Sequence, residues 1–324
     1  MTQNSPAPLP GVLAGRYRLL TQLGAGGMSI VWHGYDEVLW RDVAVKVLKP
    51  QFAGDRELRT RILREAQAAA PLSHPNIAGV FDYGETPSGS YVVMERVDGV
   101  PFADRLRDGP VAWTEAVSVG AEVASAMAVA HAHGVVHRDI KPSNVMVTVT
   151  GVKVIDFGIS AAVGESETNE NGQLLGTLSY MAPERLAGDR AGTAADVYSL
   201  GLMLYRSLAG ELPWSTASLA EALAIHAQPV THLLRRPPGV PSAVIGLIRD
   251  CVQKDPVRRP AMEDLAERLA DRSALDRTVV PLRELERTAE LTGLAKGRRR
   301  WQPLRLGAAA ALSLLSVAPR QRAS

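Results

Sequence analysis

A chain of 324 residues, 46% hydrophobic and 22% charged, is long enough to bury one large domain or two lobes and too apolar for disorder to be the default. A formal net charge of +2 makes no general case for nucleic-acid binding. The single cysteine, Cys251, excludes an intramolecular disulfide, and no zinc-holding Cys/His spacing is present, which fits a reducing, cytoplasmic setting.

In chain order, residues 1–16 read as a flexible lead, polar and proline-containing, with no basic start followed by an apolar run and hence no secretory signal expected. Short β-branched runs then predict strands at Tyr17 to Leu23, Ile30 to Gly34, Val43 to Leu48, Phe81 to Tyr83 and Tyr91 to Glu95. One amphipathic helix, about Arg56 to Ala70, interrupts them. Beyond Gly99 the pattern turns helical, at Thr114 to His133, Ala194 to Leu208 and Met262 to Ala270, with short strands at Val145 to Val149 and Val152 to Ile155. Residues 159–180 are too polar and glycine-rich for regular structure. The expectation is a bilobal α+β fold, with an N-lobe over 17–97, a mainly helical C-lobe over 98–270 and a ligand cleft near residues 95–99.

Three features carry chemistry. Leu23-Gly24-Ala25-Gly26-Gly27-Met28-Ser29-Ile30-Val31 lies between two strands, where Gly24 and Gly26 would let backbone amides approach phosphate oxygens. By itself this loop reads equally as a glycine-rich hairpin turn. In Val43-Ala44-Val45-Lys46-Val47-Leu48, Lys46 shares a face with Ala44 and Leu48, a costly place for a charge without an anionic partner. Glu65 falls on the apolar stripe of the first helix with Leu58, Ile62 and Ala69. Each alone could be a snorkelling side chain; together they suggest a buried pair that clamps something anionic. Third, His137-Arg138-Asp139 with Lys141 and Asn144 follows Gly134, a plausible helix cap, and Asp156-Phe157-Gly158 follows an apolar strand. That arrangement can bring three oxygen ligands or bases to one edge of a cleft.

With these motifs in this order, residues 17–270 resemble a Hanks-type bacterial serine/threonine protein kinase. The resemblance implies that Leu23, Gly24, Gly26 and Val31 cover ATP, with Ser29 replacing the usual third glycine, and that Ala44, Met94, Glu95 and Val97 line the adenine site, with Asp104 near the ribose. It makes Lys46 the contact to the α- and β-phosphates and Glu65 its helix partner. Asp139 becomes the base that accepts the substrate hydroxyl proton, Lys141 a neutraliser of the γ-phosphate, and Asn144 and Asp156 the holders of Mg2+, with Mn2+ as the alternative. A lysine two residues after the aspartate resembles Ser/Thr-specific members. Gly176-Thr177 and Ala182-Pro183-Glu184 resemble the end of an activation segment that receives a protein substrate, with Thr177 supporting Asp139. Asp196 and the Glu184 and Arg259 pair are implied as scaffold.

Arg138 implies control by phosphorylation at Ser160, Ser166 or Thr168, with Glu167 or Glu170 able to stand in for a phosphate. A homodimer for trans-autophosphorylation is a further implied partner. The rival readings are a pseudokinase scaffold, which should lack one of Lys46, Asp139, Asn144 or Asp156, and a small-molecule kinase, which the Gly176 to Glu184 segment argues against. After the domain, residues 271–324 hold eleven Arg or Lys against five Asp or Glu, a local +6 that leaves −4 for the first 270. Lys296-Gly297-Arg298-Arg299-Arg300-Trp301 precedes a thirteen-residue uncharged run, Leu306 to Ala318. On length it falls short of a membrane span, yet basic residues and a tryptophan beside an apolar run resemble the cytoplasmic side of an anchor over 301–319.

Overall fold

The computed structural model describes residues 11–87, 89–157, 178–189, 192–214, 219–226 and 234–273. Ser160, Ser166, Glu167, Thr168, Glu170, Thr177 and the 301–319 segment lie outside them.

Alternating apolar residues form a six-stranded sheet from β1 (Val12–Leu13), β2 (Tyr17–Ala25), β3 (Ser29–Asp36), β4 (Arg41–Leu48), β5 (Val80–Thr86) and β6 (Gly89–Glu95), in the order β1-β2-β3-β4-β6-β5, antiparallel throughout. Its central strands are buried on both faces. Val43 and Val45 pack with Leu13, Tyr17, Tyr91 and Val93 on one face. Ala44, Leu48, Val92 and Met94 meet Leu58, Ile62 and Ala66 of helix α1 (Arg56–Ala69) on the other. Asp55 caps that helix by accepting from the Leu58 N–H at 2.9 Å, which satisfies one of the donors a helix start leaves open.

The second lobe holds a three-stranded sheet, β7 (Val100–Pro101), β8 (Val145–Thr148) and β9 (Gly151–Val154), and helices α2 (Phe102–Arg105), α3 (Trp113–Ala132), α4 (Pro183–Leu186), α5 (Thr193–Ala209), α6 (Leu219–His226), α7 (Ser242–Cys251) and α8 (Met262–Ser273). Alanine and valine on α3 let α5 and α8 pack closely against it. The helix ends before Gly134, whose φ of +72° is left-handed and costs glycine little, so the chain can turn directly into His137-Arg138-Asp139.

The predicted strands and helices are present with ends shifted by one to three residues. The lead is not free throughout: Val12 and Leu13 pair with Arg18 and Tyr17, and Leu13 is buried. Phe81 sits in a bulge between Val80 and Asp82, which turns its ring outward, where the Arg41 guanidinium stacks 3.7 Å from its centroid. The elements without a predicted counterpart are β1, β7, α2, α4, α6 and α7. Five of these are eight residues or fewer, and α7 is flanked by prolines and interrupted by Gly246.

Cys251 is fully buried at the end of α7 against Gly201, and burial pushes its thiol up to about 12. Because the thiolate is the nucleophile, the folded protein should be inert to thiol alkylation at neutral pH and should react with one equivalent in denaturant. Rapid alkylation of the native protein would contradict this packing.

Candidate active site

The second sheet and α3 set the loop that follows Gly134. The backbone N–H of His137 donates to Asp196 Oδ2 and that of Arg138 to Oδ1, each at 2.8 Å. Asp196 comes from the first turn of α5 and is fully buried, and His131 Nε2 lies 2.8 Å from its Oδ2. The clamp holds Arg138 at a φ of +69°, an uncommon conformation for a residue with a side chain. The His137 ring packs edge-on to Phe157 and places Nε2 3.0 Å from the Ile155 carbonyl, tying this loop to the end of β9.

Asp139 projects from that loop. Its Oδ2 is 3.0 Å from Lys141 Nζ and accepts from Asn144 Nδ2 at 2.9 Å, while its carbonyl accepts from the same nitrogen at 2.8 Å. The Asn144 carbonyl accepts from the Ile155 N–H at 3.0 Å, which places Asn144 beside Asp156 in the fold. Asp156 has a φ of +62°, and its Oδ1 lies 3.2 Å from Lys46 Nζ. Lys46 itself is buried on the α1 face of β4. Lys46, Asp139, Lys141, Asn144 and Asp156 therefore occupy one connected edge where the two lobes meet.

The sequence pattern predicts a Lys46 pair with Glu65; the ion pairs run differently. Glu65 Oε1 is 3.1 Å from Arg61 Nε, one helical turn earlier, and 3.8 Å from Arg138 Nη1, while Lys46 acts on it through its charge alone. Burial pushes the Glu65 carboxyl up, and the three cations oppose that shift. The reason is competition: apolar patterning reports burial, whereas partner choice depends on which cations reach the carboxylate.

Above this edge, Gly24 pairs opposite Val31, and the Gly26 N–H donates to the Ser29 carbonyl at 2.9 Å, closing the glycine-rich turn. A Cβ at Gly24 would meet nothing within 4 Å, and one at Gly26 only the Ser29 carbonyl at 3.9 Å. Open space beside both Cα atoms is what close approach of a phosphate to the backbone requires. Leu23 is exposed, while Val31, Ala44 and Met94 share one apolar cluster under the hairpin. Past Met94, the Glu95 N–H donates to the Gly79 carbonyl, its carboxylate meets Lys153 at 3.0 Å, and Val97 is half-buried. Asp104, on α2, makes an ion pair with exposed Arg107 at 3.0 Å.

Magnesium is usually held by one or two carboxylates together with phosphate oxygens rather than by an all-protein cage. An amide oxygen from Asn144 and a carboxylate from Asp156 have the chemistry that such a partial set needs. Among the described residues no cluster of three or more His, Cys, Asp or Glu offers a complete site.

Glu184 and Arg259 form a bidentate pair at 2.6 and 2.8 Å beneath α4, with Arg259 also donating to the carbonyls of Ala194, Gln253 and Lys254. Sequence reasoning missed Arg185 and His131. Arg185 stands directly after Glu184, the one positional hint; His131 lies in the last turn of α3, without a motif to mark it.

Behind the cleft, Glu122 Oε2 accepts from Val152 N–H at 2.7 Å and Asn76 Nδ2 at 2.8 Å, joining α3 to β9 and the segment before β5. Burial pushes the Glu122 carboxyl up. The folded state therefore holds this proton more tightly than the unfolded state, so stability from Glu122 is present at low pH and is lost as pH rises through its raised folded value. Glu122→Gln keeps both hydrogen bonds and drops the titration. The melting midpoint of the variant, relative to wild type, should rise as pH climbs above the ordinary glutamate value; a difference independent of pH would contradict the assignment.

The protein kinase domain family matches residues 17–269. Among curated proteins, the chain is 38% identical over 271 residues to the probable serine/threonine-protein kinase PknB of Lactococcus lactis, covering 82% of this chain and 43% of that protein. It is 40% identical to the serine/threonine-protein kinase PknA of Mycobacterium tuberculosis, over 79% of this chain and 60% of PknA, and 37% identical to PrkC of Bacillus subtilis, over 76% and 39%. The chain thus matches less than two thirds of each relative's length. Among solved structures, the kinase domain of M. tuberculosis PknI superposes with a TM-score of 0.63 at 27% identity, covering 82% of this chain and 98% of that domain. The lobed architecture described above is the protein kinase fold.

Proposed function

The chain belongs to the protein kinase domain family, and from that premise we propose that it transfers the γ-phosphate of ATP to serine and threonine hydroxyls of proteins, in bacterial signalling. The observation that carries this reading is the convergence of Lys46, Asp139, Lys141, Asn144 and Asp156 on one edge below an open glycine-rich turn. Phosphoryl transfer asks a protein for alignment and charge neutralisation more than for covalent help.

In this reading Asp139 takes the hydroxyl proton and orients the acceptor. Lys141 neutralises the γ-phosphate, Lys46 holds the α- and β-phosphates, and Val31, Ala44 and Met94 bound the adenine, with Glu95 and Val97 offering backbone partners. Asn144 and Asp156 would hold the Mg2+, or Mn2+, which when bound draws charge from the phosphate oxygens. Asp196 and the Glu184 and Arg259 pair keep the loop and α4 in place. In the present arrangement Asp156 holds Lys46, and Glu65 lies between Arg61 and Arg138. A phosphate on the 158–177 segment would compete with Glu65 for Arg138; mapping phosphosites after incubation with ATP tests this, with Thr168, Ser166 and Ser160 as the candidates.

The nucleotide site is tested by melting the full chain with ATP, with and without Mg2+. At a hundredfold excess over Kd, binding should add about 2.7 kcal/mol of stability. Asp156→Asn should remove the Mg2+-dependent part, and Lys46→Met should weaken the nucleotide effect itself. Stabilisation by ATP that is indifferent to both variants would reject the site.

Among the described residues no helix is long and apolar enough to cross a membrane. Attachment through 301–319 is tested by fractionating the full chain beside a version ending at Gly297.

A further inference from the structure

Arg185 takes no part in the transfer as proposed, yet it sits against the loop that performs it. We propose that Arg185 is a positioning residue for Asp139, holding from α4 the peptide that launches the aspartate. The inference rests on the kinase reading above.

Arg185 Nη1 donates to the carbonyl of Arg138. That carbonyl belongs to the peptide joining Arg138 to Asp139, so any rotation of this peptide moves the aspartate. Asp196 holds the Arg138 N–H on one side of the left-handed residue, and Arg185 holds its carbonyl on the other. The Asp139 N–H is in turn directed at His137 Nδ1, 3.2 Å away. The polar backbone groups on both sides of the strained residue are thereby engaged, as a conformation of this kind needs if it is to persist.

The anchor is rigid. Arg185 follows Glu184, which the bidentate Arg259 pair fixes, and its own N–H donates to the Ala182 carbonyl at 3.0 Å. Ala182 and Leu186 are buried. The guanidinium is half-buried and has no carboxylate within ion-pair distance among the described residues, but Asp139 and Asp196 both act on it through their charge. A guanidinium keeps its proton at any working pH, so this charge is constant. Since Arg185 stands on the segment that follows Gly176-Thr177, a displaced α4 would displace Asp139 as well.

The test compares Arg185→Met, Arg185→Gln and Arg185→Lys in the full chain, using a serine peptide as acceptor and following kcat, the KM for ATP and the melting midpoint. Arg185→Met should lower kcat by roughly 10-fold to 100-fold while the KM for ATP stays within about 2-fold. Arg185→Lys and Arg185→Gln, which keep a donor for the Arg138 carbonyl, should recover part of the lost kcat at an unchanged KM for ATP.

Wild-type kcat in Arg185→Met, or a loss of kcat that only tracks the melting midpoint across the three variants, overturns the proposal. If Arg185→Met does not fold, the Gln and Lys variants decide: kcat lowered at an unchanged KM for ATP and an unchanged melting midpoint supports it, and kcat that falls only with the melting midpoint overturns it. A wild-type chain that fails to phosphorylate the peptide rejects the kinase reading itself, an outcome separate from any effect of Arg185.

Discussion

Asp139→Asn is expected to lower phosphorylation of a generic acceptor protein by about 10²-fold or more, the loss typical of a missing general base. The substitution keeps the size of the side chain and an oxygen within reach of Asn144 and Lys141, whose nitrogens lie 2.9 and 3.0 Å from Asp139 Oδ2. It leaves the loop clamp alone, because the N–H groups of His137 and Arg138 are held by Asp196. Stabilisation by ATP and Mg2+ should therefore survive while the initial rate collapses. Wild-type turnover would remove Asp139 from the chemistry, and loss of nucleotide stabilisation would make the variant a folding defect instead.

The largest effect on stability is expected from Arg259→Ala. The Arg259 side chain is fully buried, stacks on Tyr198 and donates to both Glu184 oxygens and to three backbone carbonyls. Removing it strands a mostly buried carboxylate and leaves those carbonyls short of a donor. Breaking one side of a buried pair costs about 3 to 5 kcal/mol, a large share of the roughly 5 to 15 kcal/mol that holds a typical domain together. The urea midpoint should fall accordingly, and Arg259→Met combined with Glu184→Leu should recover part of the loss, since no unpaired charge then remains. A change under about 1 kcal/mol would mean that the pair is solvated and that α4 is anchored by other contacts.

Much of this molecule is legible in its residues because burial leaves a period. Val43 to Leu48 announces a strand, and Lys46 within it announces a charge that must find a partner. The spacing of Leu58, Ile62, Glu65 and Ala69 announces the helix against it. The partners themselves are not written in any period. Glu65 lies within reach of Arg61 and Arg138, and Lys46 within reach of Asp156, so several pairings satisfy the same pattern and only the fold chooses. Arg185 stayed hidden for a related reason: its partner is a backbone carbonyl, which carries no residue identity. Among the elements, α7 was masked by Gly246 and its flanking prolines, and Val12 with Leu13 is too short to show alternation, although a two-residue pairing suffices to bury Leu13.

The central claim is transfer to serine and threonine, and the most direct measurement supplies the full chain with ATP labelled at the γ-phosphate, Mg2+ and a basic model protein, followed by acid hydrolysis of the labelled acceptor. The account predicts label recovered as phosphoserine and phosphothreonine. An acceptor that stays unlabelled while ATP still raises the melting midpoint, or label recovered as phosphotyrosine, would contradict it.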